Sequence, residues 1–433
     1  MSMELLVLLI TVMMFVLLAI GMHIGFAMAL SGFLGMLVVI SPDAALSLLG
    51  QTVFETALSF ELSVIPLFVL MGFFATSSGI SEDLYEAFNI WLGSRPGGLG
   101  MATVAACGGF GAICGSSLAT AATMSQVALP QMRRYRYNEA LATGVIAAGG
   151  TIGILIPPSV IMVLYGILTE TSIGNLFLAG IIPGIFLVLI FLVTVWILVR
   201  INPELGPPGE KSTTSEKMRA LRKVWGIILL FTVVLGGIYL GIFTPTEAAG
   251  VGAMGAWILG LFTGKMTRQV FVGALLDTVK TTAVIFTILI GAIIFKNFMA
   301  LSQAPNMIEN LMASLSLPPM GMMLVILVIY IILGAVLDTM AMILLTIPIF
   351  FPLITSLGFD PVWFGIIIVV VVELALISPP MGINVFVIKS MVPEIALSTI
   401  YKGVLPFVVA QLLLLSLLLV YPNLVLWLPG STY

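Results

Sequence analysis

Gly149-Gly150-Thr151-Ile152-Gly153-Ile154-Leu155-Ile156-Pro157-Pro158-Ser159 sits inside a long apolar run, yet it cannot be an unbroken helix. Pro157 and Pro158 bring no N–H, which frees carbonyls one turn earlier. Free backbone groups are not tolerated facing lipid, only where they line a cavity or hold an ion. A plain proline kink without a ligand is the bland alternative. Working outward, the pattern recurs in Glu373-Leu374-Ala375-Leu376-Ile377-Ser378-Pro379-Pro380-Met381-Gly382-Ile383-Asn384. Pro130 and the Pro157-Pro158 pair match Pro352 and Pro379-Pro380 at an offset of 222. Gly180 and Pro183 match Gly403 and Pro406 at 223, and Gly21, Gly32 and Gly35 match Gly241, Gly252 and Gly255 at 220. A nearly constant offset with the same order of apolar segments is an internal repeat.

Composition sets the environment of that repeat. Of 433 residues, 61% are hydrophobic and 8% charged, which excludes a soluble globular protein and a disordered one. A net charge of −3 with no basic domain argues against nucleic-acid binding. The long continuous apolar runs do not fit the alternation of a membrane β-barrel. What remains is an all-α polytopic membrane protein. Cys107 and Cys114 match no zinc or redox spacing and read as packing residues. The run Leu5–Met22 lacks a basic flank and a cleavage site, so it reads as a first span.

About ten spans are expected, near 4–22, 25–40, 62–79, 140–168, 176–199, 224–242, 247–264, 279–299, 361–389 and 404–427. The stretches 44–60 and 81–98 read as surface segments. The regions 101–131 and 320–356 are too long for one helix and carry small or polar residues near their middles, so each reads as a re-entrant helical hairpin. A polar connector, 201–223, separates a first repeat, 1–200, from a second, 224–433. With the N-terminus outside, 15 of the 16 basic residues fall on the cytoplasmic side and only Lys296 lies outside. The halves then start on opposite faces, so the repeat is inverted, as in secondary transporters.

The chemistry is expected at the breaks and the hairpin tips. Gly115-Ser116-Ser117-Leu118-Ala119 aligns with Leu337-Asp338-Thr339-Met340-Ala341. Ser, Thr and Asp cap helix starts, a helix N-terminus attracts a carboxylate, and carbonyls at the preceding helix end suit a small hard cation such as sodium. Capping without a ligand is the alternative. Asp338 at a tip and Glu373 near a break are ionisable groups inside the membrane and candidates for function. Glu61, Glu170, Glu247 and His23 read as interfacial. Gly250-Val251-Gly252-Ala253-Met254-Gly255 lies in an apolar span without a preceding strand, so it reads as helix packing. The single His argues against metalloprotease or haem chemistry.

Gly149–Ser159, with Leu164-Tyr165-Gly166-Ile167-Leu168-Thr169-Glu170-Thr171-Ser172-Ile173-Gly174 and Leu178-Ala179-Gly180-Ile181-Ile182-Pro183-Gly184, resembles the large membrane subunit of tripartite ATP-independent periplasmic (TRAP) transporters. The resemblance extends over essentially the whole chain. It implies an elevator-type, sodium-coupled importer of organic acids such as dicarboxylates or sialic acid, in a bacterial inner membrane, with no organic cofactor. It further implies a small four-span membrane subunit as a separate chain and a periplasmic substrate-binding protein. Carried onto this sequence, one sodium is expected between Gly115, Ser116, Ser117 and Gly150, Thr151, Gly153. A second is expected between Asp338, Thr339 and Ser378, Gly382, with the substrate carboxylate near Ser116, Ser159, Thr339 and Asn384. The competing readings are a single-component carboxylate or ion exchanger of related architecture and, from another class, a structural or redox membrane subunit.

Overall fold

The computed structural model describes residues 2–307, 317–334 and 337–431, and every regular element among them is helical. Residues 335 and 336 of the expected second hairpin lie outside the described residues. Among the described residues five helices are long and apolar enough to cross a bilayer, or up to seven if each bent pair is one span, against the ten expected. The difference has a physical origin. Much of the apolar sequence is divided by Gly, Pro and capping residues into helices shorter than the ~20 residues a crossing needs. Large apolar side chains stay exposed on the outer helices, among them Phe26, Val38, Trp196, Val279 and Leu413, as a lipid-facing surface requires.

Helix pairs occupy the stretches read as hairpins and as broken spans. The first hairpin has arms Gly98–Cys114 and Ser117–Arg134, and the first broken span has halves Glu139–Leu155 and Val160–Thr169, bent by 43°. The second hairpin has arms Pro319–Leu333 and Thr339–Ser356, and the second broken span has halves Pro361–Ala375 and Ile383–Met391. The broken spans run antiparallel. The second begins where the first ends, Tyr165 donating its hydroxyl to the Pro361 carbonyl at 2.6 Å. It finishes beside the start of the first, where Arg133 pairs with Glu139 at 2.9 Å and with Glu394 at 2.8 Å. The backbone N–H of Glu394 and then Arg133 hold the Glu394 carboxyl below the usual carboxylate range.

Basic residues gather at this same end. Lys223 pairs with Glu86 at 2.7 Å, and the backbone N–H of Gly97 donates to the Gly206 carbonyl at 2.8 Å. Lys296 lies at the other end, donating to the Leu168 carbonyl at 3.1 Å, with Glu170 at 3.9 Å.

Three boundaries differ from expectation. The helix Thr214–Tyr239 starts inside the stretch read as connector, because Thr213 and Glu216 form a reciprocal capping box. The stretch 44–60 falls in a helix, Pro42–Leu58, bent by 56° from the segment that follows it. The last span stops at Val420; Pro422 separates it from a short helix, Asn423–Gly430.

Glycines let helices cross at backbone distance. Ile24–Val39 lies on Arg268–Leu301, where a Cβ on Gly32 would stand 2.8 Å from the Phe295 Cα, and one on Gly291 would run into the Gly25 carbonyl. Close contact of this kind replaces the hydrophobic driving force that lipid does not supply. Gly291→Val is therefore expected to lower stability by at least about 1–3 kcal/mol. Gly273→Ala, whose Cβ would meet open space, should not. Thermal unfolding of the purified variants checks this, and equal melting temperatures would contradict it.

Candidate functional site

The first tip is built by opposed conformational needs. The helix Gly98–Cys114 ends on Gly115 at φ 62°, a left-handed position glycine adopts without a Cβ penalty, and the Gly115 N–H closes onto the Gly111 carbonyl at 2.7 Å. Ser116 then caps the next helix, its Oγ accepting from the Ala119 N–H at 3.3 Å. Ser159 does the same for the second half of the first broken span, accepting from the Met162 N–H at 3.4 Å. Asp338 caps the second arm of the second hairpin, accepting from the Ala341 N–H at 2.7 Å. At the second break the chain enters its helix through Gly382 at φ 56°. The Pro157-Pro158 and Pro379-Pro380 bonds are both cis.

The residues expected at the first cation position come together. A Cβ on Gly115 would stand 3.6 Å from the Pro158 carbonyl oxygen, so the tip sits against the break. Gly111 and Gly153 cross in backbone contact; a Cβ on Gly153 would stand 2.5 Å from the Gly111 Cα. One on Gly150 would stand 2.9 Å from the Ser117 carbonyl oxygen and 3.1 Å from the Asn384 amide nitrogen. The Thr151 hydroxyl is occupied within its own helix, donating to the Ala148 carbonyl at 2.7 Å.

The second position is arranged differently. Ser378 donates its hydroxyl to the Leu374 carbonyl at 2.7 Å. A Cβ on Gly382 would stand 3.3 Å from the Leu376 and Ser378 carbonyl oxygens, and the Leu376 carbonyl accepts from the Asn384 N–H at 3.1 Å. Among the described residues no hydrogen bond joins Asp338 to Ser378 or Gly382. Thr339 instead meets the second broken span at the Glu373 carboxyl.

Two residues gain weight from the structure. Glu373 is 1% exposed and receives the Ser117 hydroxyl on Oε2 at 2.5 Å, so it joins both tips. Asn384 is fully buried and donates to the Ala147 carbonyl at 3.2 Å, tying the second break to the first broken span. Three buried oxygens of this centre have no hydrogen-bond partner among the described residues: Glu373 Oε1, Asn384 Oδ1 and Thr120 Oγ1. Such groups are costly in a bilayer interior unless something fills their valence. Thr120 had no distinguishing sequence context. Its only signal is its place one turn past the tip.

Comparison with known proteins bears on the family and the fold. Residues 11–424 match the model of the family described as tripartite ATP-independent periplasmic transporter, DctM component. The chain is 38% identical over 406 residues to the C4-dicarboxylate TRAP transporter large permease protein DctM of Pseudomonas aeruginosa, covering 93% of this chain and 94% of the relative. It is 32% identical over 410 residues to the sialic acid TRAP transporter large permease protein SiaM of Vibrio cholerae, covering 94% and 95%. The crystal structure of the Alcanivorax borkumensis YdaH transporter superposes with a TM-score of 0.62 at 16% identity, covering 89% of this chain and 90% of that one, a likeness of fold.

Proposed function

We propose, from the premise that this chain belongs to the DctM-component family of tripartite ATP-independent periplasmic transporters, that it is the large permease of a sodium-coupled importer of small organic acids. The chain is a multi-pass membrane transporter permease, not an enzyme. The observation that carries the finer reading is the set of helix N-termini at Ser116, Ser159, Asp338 and Gly382, at two tips and two breaks that meet around buried unpartnered oxygens. N-terminal ends favour a carboxylate, and carbonyls at helix ends favour a small cation.

On this reading Gly115, Ser116, Ser117, Gly150, Thr151 and Gly153 serve one sodium, while Asp338, Thr339, Ser378 and Gly382 serve another. The substrate carboxylate lies near Ser116, Ser159, Thr339 and Asn384. The unit of hairpins and broken spans slides as an elevator against the glycine-packed helices Ile24–Val39 and Arg268–Leu301. A separate four-span subunit and a periplasmic binding protein complete the system in a bacterial inner membrane. The binding protein delivers a dicarboxylate, a sialic acid or a similar acid.

Two sodium ions with a monoanion carry one net charge, worth ~2.3 kcal/mol at 100 mV, or about fifty-fold accumulation. A dianion needs a third sodium for the same gain. The test is uptake of labelled succinate or sialic acid into proteoliposomes holding this chain and its small subunit, with and without a matching binding protein and a sodium gradient. Uptake is expected only with both. Uptake without a binding protein would favour a single-component exchanger, and indifference to sodium would refute the coupling.

A further inference from the structure

Glu373 occupies a place that the two cation positions do not account for. It lies in the last turn of Pro361–Ala375, with 1% of its surface exposed. Ser117 of the first tip donates to Oε2 at 2.5 Å, and Thr339 of the second tip reaches the same carboxyl. Oε1 has no partner. Among the described residues no Lys or Arg pairs with it: the ion pairs lie near the two ends of the broken spans or on outer helices, through Arg133, Lys223, Lys280 and Lys296. A buried carboxylate without a counter-charge is strongly disfavoured, and the C-terminal end of its own helix adds partial negative charge. The neighbouring residues Ser117 and Thr339 come one from each hairpin, and each belongs to a different expected cation position.

We propose that Glu373 is a positioning residue shared by the two sodium positions. Its negative charge is balanced by sodium held in the adjoining backbone cages, and its contacts with Ser117 and Thr339 tie the two tips, so that filling one position prepares the other. This rests on the sodium-coupled reading above. It adds a cause for cooperativity between the ions, since coupling between sites requires an element that both of them bias.

The experiment is a sodium titration of uptake by the complete complex in proteoliposomes, together with the sodium-induced rise in melting temperature of the purified protein, choline replacing sodium. Glu373→Gln keeps shape and hydrogen-bonding capacity but removes the charge. Its apparent sodium affinity is expected to fall about tenfold or more, and most of its sodium-induced thermal shift to disappear, while the melting temperature in choline is retained. Glu373→Asp keeps the charge but shortens the reach to the tips. It should keep the sodium-induced thermal shift at saturating sodium while the Hill coefficient for sodium drops towards one and half-saturation rises only by the coupling lost, a change that a merely structural residue would not produce. Wild-type sodium affinity and thermal shift in Glu373→Gln, as expected of a neutral carboxyl with a packing role, would overturn the proposal, as would an unchanged Hill coefficient in Glu373→Asp. Both outcomes leave the sodium-coupled reading standing. A wild-type protein indifferent to sodium removes that reading, and the proposal with it.

Discussion

Gly153→Val is expected to abolish uptake, with a loss of at least about a hundredfold. The expectation follows from where Gly153 lies rather than from any ligand it offers. The first arm of the first hairpin and the first broken span touch through backbone at Gly111 and Gly153, and a Cβ there would stand 2.5 Å from the Gly111 Cα and 2.9 Å from its carbonyl oxygen. Backbone atoms cannot turn aside as a flexible side chain can. The two helices must separate, and the separation falls close to both the tip at Gly115 and the break at Pro157-Pro158. The tip and the break would then lose the close approach on which the proposed first cation position depends. Overpacking of this kind costs about 1–3 kcal/mol, so a fraction of the protein should still fold. Uptake normalised to folded protein, together with sodium-induced thermal shift, separates a lost site from lost protein. Gly236→Ala, where a Cβ would meet open space, is the control and should transport normally. Normal uptake by Gly153→Val would show that the tip does not depend on this crossing.

The places where the chain departs from regular helix were legible in the sequence, and the partnerships between them were not. Pro157-Pro158, Pro379-Pro380, Gly115 and Asp338 announce breaks and tips because the backbone conformations they impose or permit are local. Their antiparallel arrangement followed from the offset of the repeat and the placing of the basic residues, and Lys296 does lie at the opposite end from Arg133.

The bond between Ser117 and Glu373 spans 256 positions and leaves no local trace. Glu373 could be picked out as costly in a bilayer, but not assigned to both tips. The length of helices was also poorly legible. Apolar runs mark what is buried, whereas capping chemistry decides where a helix begins. The Thr213-Glu216 capping box, a recognisable sequence pattern, was hidden by the charge around it. Ser378 and Thr151 show the complementary difficulty: their hydroxyls point to chemistry in the sequence but bond to carbonyls of the preceding helical turn.

Asp338→Ala is expected to reduce sodium-dependent uptake about tenfold or more while leaving most of the protein folded, and the sodium dependence of the loss is what identifies its cause. As the cap of Thr339–Ser356, Asp338 accepts from the Ala341 N–H at 2.7 Å. Losing a cap costs ~1 kcal/mol, up to about 2. If Asp338 did no more than cap, Asp338→Asn and Asp338→Ser would transport as wild type, since Asn and Ser cap as well as Asp. If its negative charge helps to hold a cation beside Thr339, both replacements should fail nearly as badly as alanine, with the deficit greatest at low sodium and partly overcome at high sodium. A capping role alone predicts recovery in Asp338→Asn at every sodium concentration. The sodium dependence of the deficit therefore separates a residue that shapes the tip from one that binds at it. Full activity in Asp338→Asn would remove Asp338 from the proposed second cation position and leave that position to the Thr339 hydroxyl and the backbone of the loop at Gly382.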